Sequence, residues 1–361
     1  MRGPNLKLYV EPTDVSFEWI VQQLNGKDRR WTKLKKNHKI IKVEYKAVPG
    51  YGFFTHAEQM AEGLVAYHNQ EIRFYQTVGS RYTSFILPKL YGFEESDPTT
   101  GRHGRLLIED ISERGRQVTA IHGLKIAQCC AVVEAIAQFH AFTRYVPNSE
   151  AIMSSMDGNH LLDLSDDQIQ LTTRLSVLHE EYFKKNADAL RALFQSAHRQ
   201  PESPHLRFGV KPVLTHGDLT SANIFFHSDP KGRASNSVFT FIDFQTCALG
   251  NGASDLARFI LTSTSAQVQQ MCTDRFLKLY YETLRTELKR RGQEVDYSYK
   301  KLVEMFWEAY SYECIFALSS YATEAIKTRD VYAREKTIQR MIAAFEPIRE
   351  KYEQLAAASS S

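Results

Sequence analysis

The stretch Val213–Phe226, VLTHGDLTSANIFF, decides how this chain is read. The apolar pair Val213-Leu214 leads into His216-Gly217-Asp218. Asn223 follows five residues after Asp218, and the apolar run Ile224-Phe225-Phe226 comes directly after it. A second apolar run, Val238 to Ile242, ends in Asp243-Phe244-Gln245. Two short strands around a tight turn would then carry three polar groups at their ends: Asp218, Asn223 and Asp243. That set suits phosphoryl transfer. One carboxylate faces an attacking hydroxyl, while an amide oxygen and a second carboxylate hold magnesium on nucleotide phosphates.

The rest of the composition agrees with a soluble enzyme. At 361 residues, 43% hydrophobic and 24% charged, the chain can bury a large core as one two-lobed domain or two modest ones. A net charge of +3 is too small to imply a nucleic-acid or anionic-membrane partner. The five cysteines include one adjacent pair, Cys129-Cys130, and no CxxC. This argues against a disulfide framework or zinc site and for a reducing compartment. The N-terminal residues have no apolar core of signal-peptide length, and no apolar run approaches the ~18 residues of a membrane span. A cytoplasmic chain is expected.

Going outward from the central stretch, residues 1–38 read as a leader with a short helix, Phe17 to Leu24, followed by basic sequence. From Ile40 the pattern has period two, with Ile41, Val43, Tyr45 and Ala47 on one face of a strand. That strand ends in the turn Pro49 to Thr55, which contains Gly50 and Gly52. Helical spacing then predicts His56 to Gly79, and apolar runs predict strands at Phe85–Phe93 and Arg105–Ile111. Leu124–Tyr145 is a strong helix, and Asp166–His198 reads as one long amphipathic helix. After Asp255 everything to about Leu355 reads helical, with a frayed Ala-Ser tail at 356–361. The expected fold class is α+β: a small β-rich lobe over residues 39–111 and a helical lobe over 112–355.

The segments HGDLTSAN, FIDFQ and ASDLARF resemble the choline-kinase-like (CHK) branch of the protein-kinase-like superfamily. They are most similar to its ecdysteroid-kinase-like family, related to aminoglycoside phosphotransferases and choline kinases. YHNQEIRFY and RLLIEDIS are similar to that family's helix and inter-lobe strand, and the resemblance covers roughly Lys39 to Tyr321. It implies a bilobal kinase fold using ATP and Mg²⁺ to phosphorylate a small-molecule hydroxyl, an ecdysteroid-like or other lipophilic alcohol. It also implies the residue roles. Asp218 would be the catalytic base, with His216 bracing its loop, and Asn223 and Asp243 would bind magnesium. Gly50 and Gly52 would belong to the phosphate loop, and Glu71 would pair with an ATP-contacting lysine. Glu109, Asp110 and Ile111 would meet the adenine through their backbone, and Asp255 would hold the catalytic segment.

One departure from the pattern is evident. Glu71 lies only 19 residues beyond Gly52, too few for two more strands and a helix start. No lysine lies between Lys46 and Lys89. Either the strands that carry the lysine are missing, which is the preferred reading and predicts a truncated sheet, or Lys46 is the pairing lysine. The first leaves an inactive pseudokinase as an alternative. A choline or ethanolamine kinase is another, although Trp307, Glu308 and Tyr310 make no clear ammonium cage. Simpler readings stand beside these. His140 suits a satisfied core histidine, Cys129-Cys130 suits packing, and the aromatics from Phe306 to Tyr321 are mainly helical core.

Overall fold

A computed structural model describes residues 17–24, 57–82, 87–97, 99–100, 102, 104–119, 123–146, 148, 151–152, 156, 167–197 and 204–359. The strand expected from Ile40, the turn with Gly50 and Gly52, and Lys46 lie outside the described residues. The fold is α+β, with a small β region and a large helical part.

Helix α1 (Phe17–Leu24) packs on the first described strand, β1 (Leu90–Glu94), which pairs antiparallel with β2 (Arg105–Ile108). Among the described residues the predicted strand from Phe85 is ladder-paired from Leu90, two residues after Pro88, which has no N–H to donate. Helix α2 (Ala57–Thr77) precedes them. Its polar residues fasten it at two places. His68 Nε2 meets the Glu94 carbonyl at 3.0 Å, and Asn69 exchanges two hydrogen bonds with the Ser96 backbone. The buried Gln70 amide donates to the Cys247 carbonyl at 2.6 Å. The helix thus connects the small sheet to the segment that follows Asp243.

The two-residue strand β3 (Gly115–Arg116) leads to α3 (Ile126–Thr143), the central core helix. At 18 residues and a mean hydropathy of 1.3, α3 is long and apolar enough to cross a membrane, contrary to the expectation that no run reaches that length. It is mostly buried within the helical part, where it packs on later elements of the chain. The helix expected over Asp166–His198 is three: α4 (Asp167–Leu178), α5 (Glu180–Lys185) and α6 (Ala187–Ala197). His179 at φ −151° makes the first break. Asn186 at φ −107° makes the second, with both its side-chain amide and its own N–H on the Tyr182 carbonyl, at 2.9 and 3.2 Å. The buried residues Leu171, Leu175, Phe183, Leu190 and Leu193 keep their spacing across both breaks, so the pattern reads as continuous.

A short helix, α7 (Pro204–Arg207), brings the chain to β4 (Val213–Thr215), β5 (Ile224–Ser228), β6 (Ala234–Phe241) and β7 (Ala248–Gly250). β4 pairs antiparallel with β7, and β5 lies between β3 and β6. The hairpin tip is tighter than the insert HSDPKGRASNS suggests. Pro230 and Gly232 make a turn over Asp229–Arg233, and the Asp229 carboxylate accepts the Lys231 and Arg233 N–H groups at 2.8 Å. Helices α8 (Ala253–Ser263), α9 (Ala266–Lys289), α10 (Tyr299–Lys327) and α11 (Val331–Ser359) complete the fold. Ser265 and Ser298 cap α9 and α10 by accepting the Val268 and Lys301 N–H groups. The tail expected to fray is helical as far as Ser359. α3 packs on α9 and α8 on α10, around a core including Phe139, Phe259, Phe276, Tyr280 and Phe306.

Candidate functional site

β4 leads into the 216–223 loop and β6 into the Asp243 segment, and hydrogen bonds between the two bring them together. Hydrogen bonds hold the first loop at nearly every residue. His216 is fully buried, its Nε2–H donates to the Ile242 carbonyl at 3.0 Å, and its Nδ1 accepts the Asp218 N–H at 3.3 Å. Burial pushes the His216 pKa down against the pull of Asp255 and Asp218, so the ring is neutral at pH 7 with its proton on Nε2. Gly217 sits at φ +81°, where a Cβ would run into the Thr246 carbonyl, so glycine is required. Asp255, in the first turn of α8, is 1% exposed and accepts the His216 and Gly217 N–H groups at 2.7 and 2.9 Å. Burial pushes its carboxyl up, but bonding to His140 and the charge there hold it below the ordinary range. His140 Nε2 lies 3.0 Å from Asp255 and His140 Nδ1 lies 2.8 Å from the Tyr280 hydroxyl. It is the satisfied core histidine expected, and it also supports the loop.

Three of the expected site residues come together. The single 3₁₀ turn Ser221–Asn223 bends the chain back, so the Asn223 amide donates to the Asp218 carbonyl at 2.9 Å and to its carboxylate at 3.0 Å. The Ile242 N–H donates to the Asn223 carbonyl at 3.0 Å, which fixes Asp243 beside them. Asp243 lies at φ +66°, in the left-handed region that a non-glycine side chain rarely adopts. Burial pushes its pKa up to about 7, with the Asp218 charge adding to the shift. Glu71, on α2, faces the same corner. Burial and the Asp243 charge push it up to about 8, and the Phe244 N–H is its hydrogen-bond donor. Among the described residues no lysine or arginine pairs with it. The Phe74 ring, also on α2, stacks on Phe244 at 3.6 Å between centroids, and Phe244 lies 4.5 Å from His216. Helix α2, the Asp243 segment and the 216–223 loop are thereby packed as one column.

The donor set fits a magnesium ion bridging to phosphate. Asn223 Oδ1 has no protein partner among the described residues, and Asp243 adds a second hard oxygen in a corner with excess negative charge. Among the described residues no three His, Cys, Asp or Glu side chains can hold a metal alone, so phosphate oxygens and water would complete the shell.

Glu109, Asp110 and Ile111 follow β2. The Glu109 N–H is used by the Lys89 carbonyl and its carboxylate by Arg114 at 2.8 Å, and Asp110 accepts the Ser112 N–H at 2.8 Å. The Ile111 carbonyl accepts two turn N–H groups. Glu308 pairs with Arg207, and the buried Tyr310 hydroxyl donates to the Ala344 carbonyl at 2.9 Å, so neither is arranged as an ammonium cage. Sequence reasoning assigned no role to Arg258, on α8, or Glu313, on α10. Both are buried, and Arg258 reaches Asp218 Oδ1 at 3.3 Å. A charged residue within the apolar stretch Leu256–Leu261 was the available signal.

The family described as "Uncharacterized oxidoreductase dhs-27" (DUF1679) matches residues 32–355. The chain belongs to this family. It is 22% identical over 275 residues to the uncharacterized kinase-like protein D1044.1 of Caenorhabditis elegans, covering 73% of this chain and 69% of that one. It is also 22% identical over 257 residues to the uncharacterized oxidoreductase dhs-27 of Caenorhabditis elegans. That match covers 69% of this chain but 30% of the relative, most of which has no counterpart here. The G-x-G-x-x-G dinucleotide fingerprint does not occur in this sequence. Solved structures similar to this chain include aminoglycoside phosphotransferases, a choline kinase and an ethanolamine kinase. The choline kinase from Cryptosporidium parvum Iowa II aligns with a TM-score of 0.44 at 13% identity, covering 84% of this chain and 81% of that one. At these scores and identities the likenesses say nothing of this chain's substrate.

Proposed function

We propose that this chain transfers a phosphoryl group from magnesium-bound ATP to the hydroxyl of a small molecule. The observation that carries the reading is the meeting of Asp218, Asn223 and Asp243 where β4 and β6 end, with Asp218 and Asn223 hydrogen-bonded and Asp243 coupled to Asp218 by charge. In this reading Asp218 orients or deprotonates the acceptor hydroxyl, and Asn223 and Asp243 hold the metal, which neutralises charge on the phosphates. A lipophilic, ecdysteroid-like acceptor is proposed from the sequence resemblance, and a cytoplasmic location from the five free cysteines. Glu71 favours a second reading, an inactive binding module. Among the described residues it meets the carboxylate of Asp243 instead of a cation.

A thermal-shift titration separates the two. Ligand at 100 times its Kd should stabilise the fold by ~2.7 kcal/mol, a rise of several degrees in Tm. No shift with millimolar MgATP supports the binding module emptied of its nucleotide.

The affinity for MgADP should also depend on pH. Asp243 ligates only when deprotonated, so affinity rises with pH up to about 7, falls by as much as about tenfold per unit below it, and levels off above. Stability of the metal-free chain runs the other way. A carboxyl raised in the folded state binds its proton there first, so its contribution is lost as pH climbs from about 4 through about 7 for Asp243 and about 8 for Glu71. Calorimetry at pH 6, 7 and 8 checks the first, and Asp243→Asn should flatten it. A flat wild-type profile would take Asp243 out of the ligand set.

A further inference from the structure

Arg258 is an ion in the middle of a buried helix, and three groups engage it. Its Nη1 reaches Asp218 Oδ1 at 3.3 Å, its Nε forms an ion pair with Glu313 Oε2, and its guanidinium lies 3.4 Å from the Phe316 ring centroid. Glu313 and Phe316 are three residues apart on one face of α10, so that helix presents a carboxylate to one edge of the guanidinium and a ring to its plane. Three residues before Arg258, on the same turn of α8, Asp255 grips the backbone of His216 and Gly217. α8 therefore holds the catalytic loop twice, by its backbone and by the carboxylate of Asp218. The second oxygen of that carboxylate takes the Asn223 amide at 3.0 Å. Donors on both oxygens fix the plane of the carboxylate.

Stability alone is a poor reason for this arrangement. Desolvating a guanidinium and two carboxylates offsets much of their attraction, and apolar residues of similar volume commonly serve a core as well or better. Burial pushes Glu313 up to about 7 even with Arg258 beside it.

We infer that Arg258 and Glu313 are positioning residues of the phosphotransfer site: Glu313 and Phe316 hold the guanidinium so that Arg258 sets the orientation of Asp218 toward the acceptor hydroxyl. The inference rests on the proposed phosphotransfer. It implies that α10 acts on the catalytic carboxylate through an intermediary on α8. A reacting group displaced by about 1 Å can lose ~10²-fold in rate, so such an intermediary has a measurable effect.

Two measurements test it. In protein labelled with ¹⁵N-arginine, with Arg258 assigned from Arg258→Lys, the wild-type guanidinium should rotate slowly and show separate Nη signals. In Glu313→Gln those signals should merge. In MgATP hydrolysis with water as acceptor, Arg258→Lys should lower kcat about tenfold or more, with KM for MgATP within about twofold. In an Asp218→Asn background the same change should cost less than about twofold, because its effect passes through Asp218. A freely rotating wild-type guanidinium, or an equal fractional loss in both backgrounds, overturns the inference. A wild type that binds and hydrolyses no MgATP overturns the proposed function instead and leaves the NMR comparison to decide whether Arg258 is fixed.

Discussion

Asp218→Asn is expected to lower turnover by ~10²–10⁴-fold while the chain stays folded. The substitution keeps the shape of the side chain and one acceptor oxygen, but it removes the negative charge that draws on the acceptor proton. The replacement amide has one acceptor oxygen for two donors, so either the Asn223 amide or Arg258 loses its partner. Arg258 is not left alone in the core, because Glu313 remains its counter-ion. That limits the loss of stability to roughly 1–3 kcal/mol, the range for one disturbed buried hydrogen bond. MgADP affinity should stay within a few-fold of wild type, since Asn223 and Asp243 remain. The check is turnover beside a melting curve and MgADP calorimetry, in a preparation shown to transfer phosphate. Near-wild-type turnover would remove Asp218 from the chemistry.

The largest expected effect on stability lies at Asp255. Its two carboxylate oxygens serve the His216 and Gly217 N–H groups and His140, all within 3.0 Å and all buried. Asp255→Ala strands three polar groups at once and opens a void beside Tyr280. A loss of about 3–5 kcal/mol is expected, a large share of the 5–15 kcal/mol that holds a typical domain together. Asp255→Asn keeps the volume and one acceptor, so it should lose less. The measurement is the urea midpoint at constant m-value. If Asp255→Ala costs under 1 kcal/mol, the loop is held by something other than this carboxylate.

What the sequence made legible was local. The step from Asp218 to Asn223 spans one 3₁₀ turn, so both residues belong to a single hydrogen-bonded loop that a short motif can specify. Asp243 is next along the hairpin, placed by the register Ile224↔Phe241. Helices with steady apolar spacing were equally plain, Phe17–Leu24 to the residue. The rest depends on partners distant in the chain. β3 and β7 have two and three residues, too short to show a period, and exist only because β5 and β4 are there to pair with them. Arg258 and Glu313 stand on different helices, and neither residue announces the other. The break at Asn186 is a change of backbone angle at a single residue, which leaves the apolar pattern unchanged.

The left-handed backbone of Asp243 sets stability against activity at a single residue. An aspartate held at φ +66° gives up on the order of 1 kcal/mol relative to glycine, which adopts that region freely. Asp243→Gly would release that strain together with a buried carboxyl pushed up to about 7. Selection of variants for heat resistance alone would therefore favour loss of the proposed metal ligand. In a family of such chains, an unusually robust member with glycine here would be one that had given up the proposed phosphotransfer.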